Sequence, residues 1–216
     1  MYKKNLGLPI SLILITQRQS RPLDQYLKFI ERVAKNGISC VQLREKNASV
    51  EFLLEFGQAL NLILKPLAIP LMVNDNLDLA LQLNADGIHL GQQDINPSLA
   101  REVLGPDKII GLSIESMVEL KCANQLNCLD YIAASAVFPT QTKANIKTIW
   151  GLDGLAQVVK LAKYPVVGIG GINLNNLDLV LNTGIHGVAL ISAIHNAPDP
   201  EQYVAQLRHT KTRMMI

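Results

Sequence analysis

Short runs of nearly continuous apolar residues recur along this chain. They alternate with longer stretches in which apolar residues return every three or four positions. The runs fall at 12–16, 40–44, 71–74, 87–90, 109–112, 131–137, 166–169 and 187–191. A strand covered on both faces has no solvent side, so it loses the apolar/polar alternation of a half-exposed strand. The pattern predicts eight buried parallel strands. Among the intervening stretches, 24–35 place Tyr26, Leu27, Ile30, Val33 and Ala34 on one helical face. Residues 50–64 do the same with Leu53, Leu54, Phe56, Leu60 and Leu64. Further helices are expected over 77–83, 98–104, 117–125, 152–162, 177–181 and 201–207. Gly37, Gly105 and Gly184 stand where helices would end, and Pro70 and Pro165 open strands three and seven. Eight βα units predict an α/β fold, a single-domain (β/α)8 TIM barrel over 1–216. An open doubly wound sheet fits less well, because Thr16-Gln17-Arg18-Gln19 lacks a glycine-rich turn after the first strand.

Composition narrows the function classes. The chain has 216 residues, 49% hydrophobic and 18% charged, with a net charge of +2. That describes a globular protein with a full core and no basic stripe for nucleic acid. Cys40, Cys122 and Cys128 form no CxxC pair and are expected to be small buried hydrophobes in a reducing compartment. His89, His186, His195 and His209 show no metal-ligand spacing. The apolar run near the start is short and is followed by Gln17-Arg18-Gln19-Ser20-Arg21 rather than a cleavage site. No run approaches a membrane span. A cytoplasmic protein without membrane or nucleic-acid partners is expected.

The chemistry gathers just past the strands, where such barrels build active sites from their βα loops. Gln42, Arg44 and Lys46 follow strand two with a period of two, which puts them on one face if the strand geometry persists. An anion between Arg44 and Lys46 would satisfy both, and an internal ion pair is the competing reading. Asn74-Asp75 ends strand three and Asp94 follows strand four. Two carboxylates opposite those cations suit Mg2+ held by few protein ligands plus phosphate oxygens. Ser113 ends strand five. Thr140-Gln141-Thr142-Lys143 follows strand six and can grip a phosphate with two hydroxyls and an ammonium. Gly170-Gly171 ends strand seven, and Ile191-Ser192 ends strand eight, where barrels often bind phosphate on backbone N–H groups. His89 is read as a satisfied core or rim histidine, and Trp150 as packing.

Taken together, VQLREK (41–46), VND (73–75), ADGIHLGQQD (85–94), GLS (111–113), VFPTQTK (137–143), IGGI (169–172) and ALISAI (189–194) resemble the signature of the thiamine-phosphate synthase family in order and spacing. The resemblance covers residues from about 12 to 195. It implies a transferase that joins 4-amino-5-hydroxymethyl-2-methylpyrimidine diphosphate to 4-methyl-5-(2-hydroxyethyl)thiazole phosphate, releasing pyrophosphate. Carried over by motif, Gln42, Arg44, Lys46, Asn74, Ser113 and Lys143 would hold the pyrimidine diphosphate. Of these, Arg44, Lys46, Ser113 and Lys143 would be catalytic. Asp75 and Asp94 would hold Mg2+. Thr140, Thr142, Gly171, Ile191 and Ser192 would bind the thiazole phosphate. The two phosphorylated substrates are the implied partners, with self-association left open. The related thiazole tautomerase, metal-independent on the same scaffold, and a non-catalytic regulatory barrel binding phosphorylated ligands are the alternatives. Asn76, Glu115 and Ser135-Ala136 depart from the family pattern. Glu115 is expected to face solvent or cap the fifth helix, because a carboxylate beside a diphosphate is unfavourable.

Overall fold

The computed structural model describes residues 7–142 and 146–214, with side chains as far as 210 in the last helix. Lys143 lies outside the described residues. Eight strands close into one parallel barrel in sequence order. They are β1 (Leu12–Ile15), β2 (Cys40–Leu43), β3 (Leu71–Asn74), β4 (Gly87–Leu90), β5 (Ile109–Ile114), β6 (Tyr131–Ser135), β7 (Val166–Ile169) and β8 (Gly187–Leu190). The helices are α1 (Leu23–Lys35), α2 (Val50–Leu64), α3 (Leu77–Gln82), α4 (Pro97–Leu104), α5 (Met117–Gln125), α6 (Gly151–Leu161), α7 (Leu177–Leu181), α8 (Ser192–His195) and α9 (Pro200–Met214). All eight expected strands are present, with ends shifted by up to two residues. The four-residue α8 and a 3-10 turn over Lys65–Leu67 carry too few residues to show a period, and the sequence pattern does not reveal them.

The alternation along each strand divides the apolar residues into two cores. Leu12, Leu14, Val41, Leu43, Leu71, Val73, Ile88 and Leu90 point outward and pack under the helices. Ile13, Ile15, Cys40, Met72, Ile109, Tyr131, Ala133, Val167 and Ala189 point inward and fill the barrel. One bulky side chain dominates that interior. The Tyr131 ring is completely enclosed, and Gly111 across the sheet makes room for it, since a Cβ there would sit 2.2 Å from the ring. Gly111 is therefore fixed by close approach. Above this layer the inward positions become polar, and there the barrel stops being a packed core.

Helix ends follow capping chemistry. Ser49, Asn76, Asn96 and Ser116 each accept a backbone N–H from the first turn of α2, α3, α4 and α5. Asn76, one of the departures from the family pattern, thus has a structural role at the start of α3. The cysteine expectation holds for Cys40 and Cys128, which are buried, and fails for Cys122, which is exposed. On α5 the inward face carries Leu120 and Ala123, which leaves Cys122 on the outer side. None of the helices among the described residues is long and apolar enough to cross a membrane.

Candidate active site

A cavity of about 620 Å3 opens at the C-terminal end of the barrel, with a floor of Ile13, Tyr131, Ala133 and Val167. Its walls are strand ends and the loops that follow them. Gln42, Arg44 and Lys46 all line it, although β2 itself stops at Leu43, so the period of two survives past the strand. Gln42 donates its side-chain N–H to Asn74 Oδ1 at 2.7 Å, which joins the second and third walls. The Arg44 N–H is held by Thr16 Oγ1 at 2.9 Å. Burial works to lower the Arg44 guanidinium, opposed by the nearby Asp75 and Glu45 carboxylates. A strongly basic group survives such desolvation, and it presents a flat fork suited to phosphate oxygens.

The third and fourth walls carry the two carboxylates. Asp75 takes a left-handed backbone, φ 63°, and donates its N–H to the His89 carbonyl at 2.9 Å. Asp94 bends back to accept the Gly91 N–H at 2.6 Å. Both line the cavity. Partial burial and a hydrogen bond with Asp94, reinforced by the charge of Asp94, push the Asp75 carboxyl up to about 7, against the pull of Arg44 and Lys46. Two acids pressed together this way repel one another when both ionise. A divalent cation would remove that repulsion. No group of three or more His, Cys, Asp or Glu side chains that could hold a metal occurs among the described residues. A metal here would therefore draw most of its ligands from substrate and water, as Mg2+ does more readily than zinc.

Ser113 and His89 form a unit that sequence reasoning missed. His89 is 8% exposed inside the barrel. One ring nitrogen meets Tyr131 Oη at 2.8 Å and the other meets Ser113 Oγ at 2.8 Å. Gln92 adds its side-chain N–H to the Ser113 carbonyl at 2.6 Å. The available signal was parity: His89 lies two residues from Gly87 and so shares its inward face. His89 thus holds the serine in place from the cavity floor.

The remaining walls are loops. Thr140 and Thr142 line the cavity, and the Thr142 N–H reaches Thr140 Oγ1 at 3.3 Å. Gly170 and Gly171 both have positive φ, 99° and 66°, and both line the same space. A Cβ on Gly171 would sit 2.6 Å from Phe138 Cβ, so glycine lets this loop lie against the segment after β6. Ile191 and Ser192 complete the ring. Every predicted site residue among those described therefore faces one cavity.

Glu115 corrects an expectation. It neither faces solvent nor caps α5. It is 8% exposed and lines the cavity, and its Oε2 accepts the Lys147 N–H at 3.3 Å. The cap belongs to the next residue, Ser116, whose Oγ accepts the Glu119 N–H at 3.1 Å. Glu119 in turn accepts the Glu115 N–H at 2.6 Å and pairs with Lys147 Nζ at 3.1 Å. Sequence reasoning set the cap one residue early and left the inward turn unseen. Ser135 and Ala136, the other departures, anchor the same loop. The Ser135 carbonyl accepts Trp150 Nε1–H at 3.2 Å, and the Ala136 carbonyl accepts the Trp150 N–H at 2.9 Å.

Comparison with known proteins places this geometry in context. A family model described as thiamine monophosphate synthase matches residues 12–194. The chain is 45% identical over 202 residues to a thiamine-phosphate synthase of Chlamydia caviae, covering 94% of this chain and 95% of that protein. It is 44% identical over 190 residues to a thiamine-phosphate synthase of Vibrio campbellii, covering 88% and 92%. Among solved structures, a thiamine phosphate pyrophosphorylase from Pyrococcus furiosus superposes with a TM-score of 0.86 at 34% identity, covering 96% of this chain and 98% of that one.

Proposed function

The chain belongs to the thiamine monophosphate synthase family, and we propose that it joins the pyrimidine diphosphate and the thiazole phosphate at the mouth of this barrel, with Mg2+ held by Asp75 and Asp94. The observation that carries the reading is the division of one cavity between two anion-binding sides. Arg44, Lys46, Asn74 and Ser113 stand on the β2–β5 side, and Thr140, Thr142, Gly171 and Ser192 stand on the β6–β8 side. A reaction between two phosphorylated substrates needs both.

On the first side, Arg44 forks onto diphosphate oxygens and Lys46 adds a point charge. Both offset the negative charge that builds as pyrophosphate leaves, an electrostatic contribution that is often the largest in catalysis. Mg2+ supplies further neutralisation of the diphosphate when bound. Gln42 and Asn74, already bonded to each other, orient the diphosphate side. Ser113, braced by His89, stays in one rotamer and offers its hydroxyl. Lys143, outside the described residues, would by the family motif supply a third cation. The electron-rich aminopyrimidine carries the positive charge left on its methylene carbon. The thiazole nitrogen attacks that carbon directly and carries no proton to remove, so the step needs no general base.

On the second side, the loops carrying Thr140, Thr142, Gly171, Ile191 and Ser192 hold the thiazole phosphate. They fix its ring nitrogen toward the cation, and such positioning contributes to the rate by lowering the entropy cost of meeting. The apolar floor excludes water that would otherwise capture the cation. The metal-independent tautomerase and the regulatory barrel both leave the Asp75–Asp94 pair without a task. The test mixes both substrates with Mg2+ or with a chelator and follows thiamine phosphate by fluorescence after oxidation to thiochrome. Mg2+-dependent product is expected. Product at an undiminished rate in chelator would overturn the metal assignment, and absence of product would overturn the reaction.

A further inference from the structure

One buried titratable pair lies behind the phosphate side and has no part in the chemistry above. His195, at the end of α8, is 5% exposed, and Tyr26, on α1, is fully enclosed. Neither lines the cavity. The His195 ring lies in a slot outside the barrel, with ring centroids 5.8 Å from Tyr26 and 5.2 Å from Phe29. Its Nδ1 meets the Ile191 carbonyl at 2.8 Å, and its Nε2 meets Tyr26 Oη at 2.7 Å. A carbonyl only accepts, so Nδ1 carries the hydrogen. In a neutral ring Nε2 then accepts, and the Tyr26 hydroxyl donates to it. Burial, the leading influence on this imidazole, holds it below its ordinary value and favours that neutral form. Tyr26 Oη in turn accepts the Gln17 N–H at 2.7 Å, and Arg21 donates to the His195 carbonyl at 3.0 Å. The pair therefore ties the loop after β1 to the loop after β8.

Its effect concentrates on one peptide. The Ile191 carbonyl receives three donors: the His195 ring at 2.8 Å and the backbone N–H groups of Ile194 and His195, both at 3.1 Å. The carbonyl of Ile191 and the N–H of Ser192 belong to the same planar trans unit and point in opposite directions. Holding the carbonyl outward, toward the His195 slot, directs the Ser192 N–H inward. Ser192 lines the cavity.

We propose that Tyr26 and His195 are positioning residues that aim the Ile191–Ser192 peptide at the thiazole phosphate, a reading that rests on the substrate assignment above. The consequence is selective. Loosening the pair weakens one phosphate site and leaves the diphosphate side, which hangs on β2–β5, unchanged. Chemistry separates the two ring contacts. In His195→Asn the amide nitrogen occupies the place of Nδ1 and keeps a donor for Ile191, while the contact to Tyr26 is lost. Tyr26→Phe retains the packed ring and loses both hydroxyl contacts. His195→Ala loses everything.

The test measures KM for each substrate, kcat and melting temperature for wild type, His195→Ala, His195→Asn and Tyr26→Phe, together with calorimetric binding of the thiazole phosphate alone. In His195→Ala, KM and Kd for the thiazole phosphate should rise about tenfold, equivalent to about 1.4 kcal/mol. The other KM and kcat should stay within about twofold. His195→Asn should recover most of the loss, and Tyr26→Phe should fall between. A fall in melting temperature with both KM values unchanged would overturn the proposal, as would equal rises in both or failure of His195→Asn to recover. If His195→Ala does not fold, His195→Asn and Tyr26→Phe carry the same comparison. Wild type separates this idea from its premise: no product from wild type sinks the synthase reading, whereas the calorimetric difference between wild type and variants decides the positioning role without turnover.

Discussion

Asp94→Asn should weaken Mg2+ by an amount that depends on pH, and the dependence is the sharper test. The substitution removes one negative charge and keeps the shape of the side chain. Two unit charges about 4 Å apart interact by about 1 kcal/mol in water, so a divalent ion loses about 2 kcal/mol with one carboxylate, even at a wet rim. That is about 30-fold in affinity. A second effect opposes the first. With Asp94 ionised beside it, Asp75 titrates at about 7. At pH 7 half of the metal-free wild-type protein therefore carries a proton on Asp75 that Mg2+ must displace, a twofold penalty; at pH 6 the penalty is about elevenfold and at pH 8 about 1.1-fold. Removing the Asp94 charge lets the Asp75 carboxyl fall below 7, although the burial that is the leading cause of its shift remains, so part of this penalty is relieved in the variant.

The ratio of variant to wild-type Mg2+ constants should then approach about 30 at pH 8 and fall as pH drops, to no less than about 15 at pH 7 and about 3 at pH 6. The assay is turnover against Mg2+ concentration at saturating substrates, at the three pH values. A ratio near one at pH 8 would show that Asp94 does not touch the metal. A large ratio that stays constant with pH would show that the two carboxyls do not share a proton in the metal-free state.

The same carboxyl predicts a stability profile. Its pKa in the fold lies above the ordinary 3.8, so the metal-free native state holds the extra proton; stability is fully present below about 4 and is lost as pH rises through about 7. The melting temperature in chelator should fall across that window, and Asp75→Asn should flatten the fall. Gly171→Ala forces a side chain onto a φ of 66° and into contact with Phe138. With about 1–2 kcal/mol of backbone cost and a displaced loop, KM for the thiazole phosphate should rise at least about tenfold. An unchanged KM would place that phosphate elsewhere. Arg101 spans Gly105, Lys108, Cys128 and Asp130 far from the cavity, with its Asp130 contact at 2.6 Å. Arg101→Met should cost about 3 kcal/mol, or about 6–12 °C in melting temperature, with kcat unchanged at assay temperature. Loss of kcat in folded protein would refute a purely structural role.

How much of the site is legible in the sequence follows from which residues a strand governs. Along β2 and just past its end the period of two puts Gln42, Arg44 and Lys46 on one side, because neighbours in extended chain face opposite ways. The closed barrel then converts that parity into a location, since one side is the interior. The same rule applied to β4 puts His89 inside with Gly87, and both its ring nitrogens are bonded there, as the reading of a satisfied core or rim histidine expects; that reading did not name Ser113 as a partner. Parity gives the face and not the partner. The Tyr131 hydroxyl that fixes the ring from below comes from two strands away, and pairwise spacing along one segment carries no information about it.

The rule reaches a little way past a strand end, and Glu115 shows it competing with another argument. Glu115 lies one residue beyond β5 and keeps the parity of the inward Ile109, Gly111 and Ser113, so the strand period by itself points it into the cavity. Three nearby groups are arranged around it. Ser116 takes the cap of α5, Glu119 takes the Glu115 N–H, and the Lys147 N–H is left facing inward from another loop. The Glu115 carboxylate accepts it at 3.3 Å, a partner present in every state of the protein. Like-charge repulsion by a diphosphate argued against that parity, and it pointed the side chain the wrong way. The local gain wins because a hydrogen bond to a fixed neighbour operates whether or not substrate is present. The same preference for permanent partners explains Tyr26 and His195: behind a site that must stay open, the fold spends its polar groups on the loops that shape it.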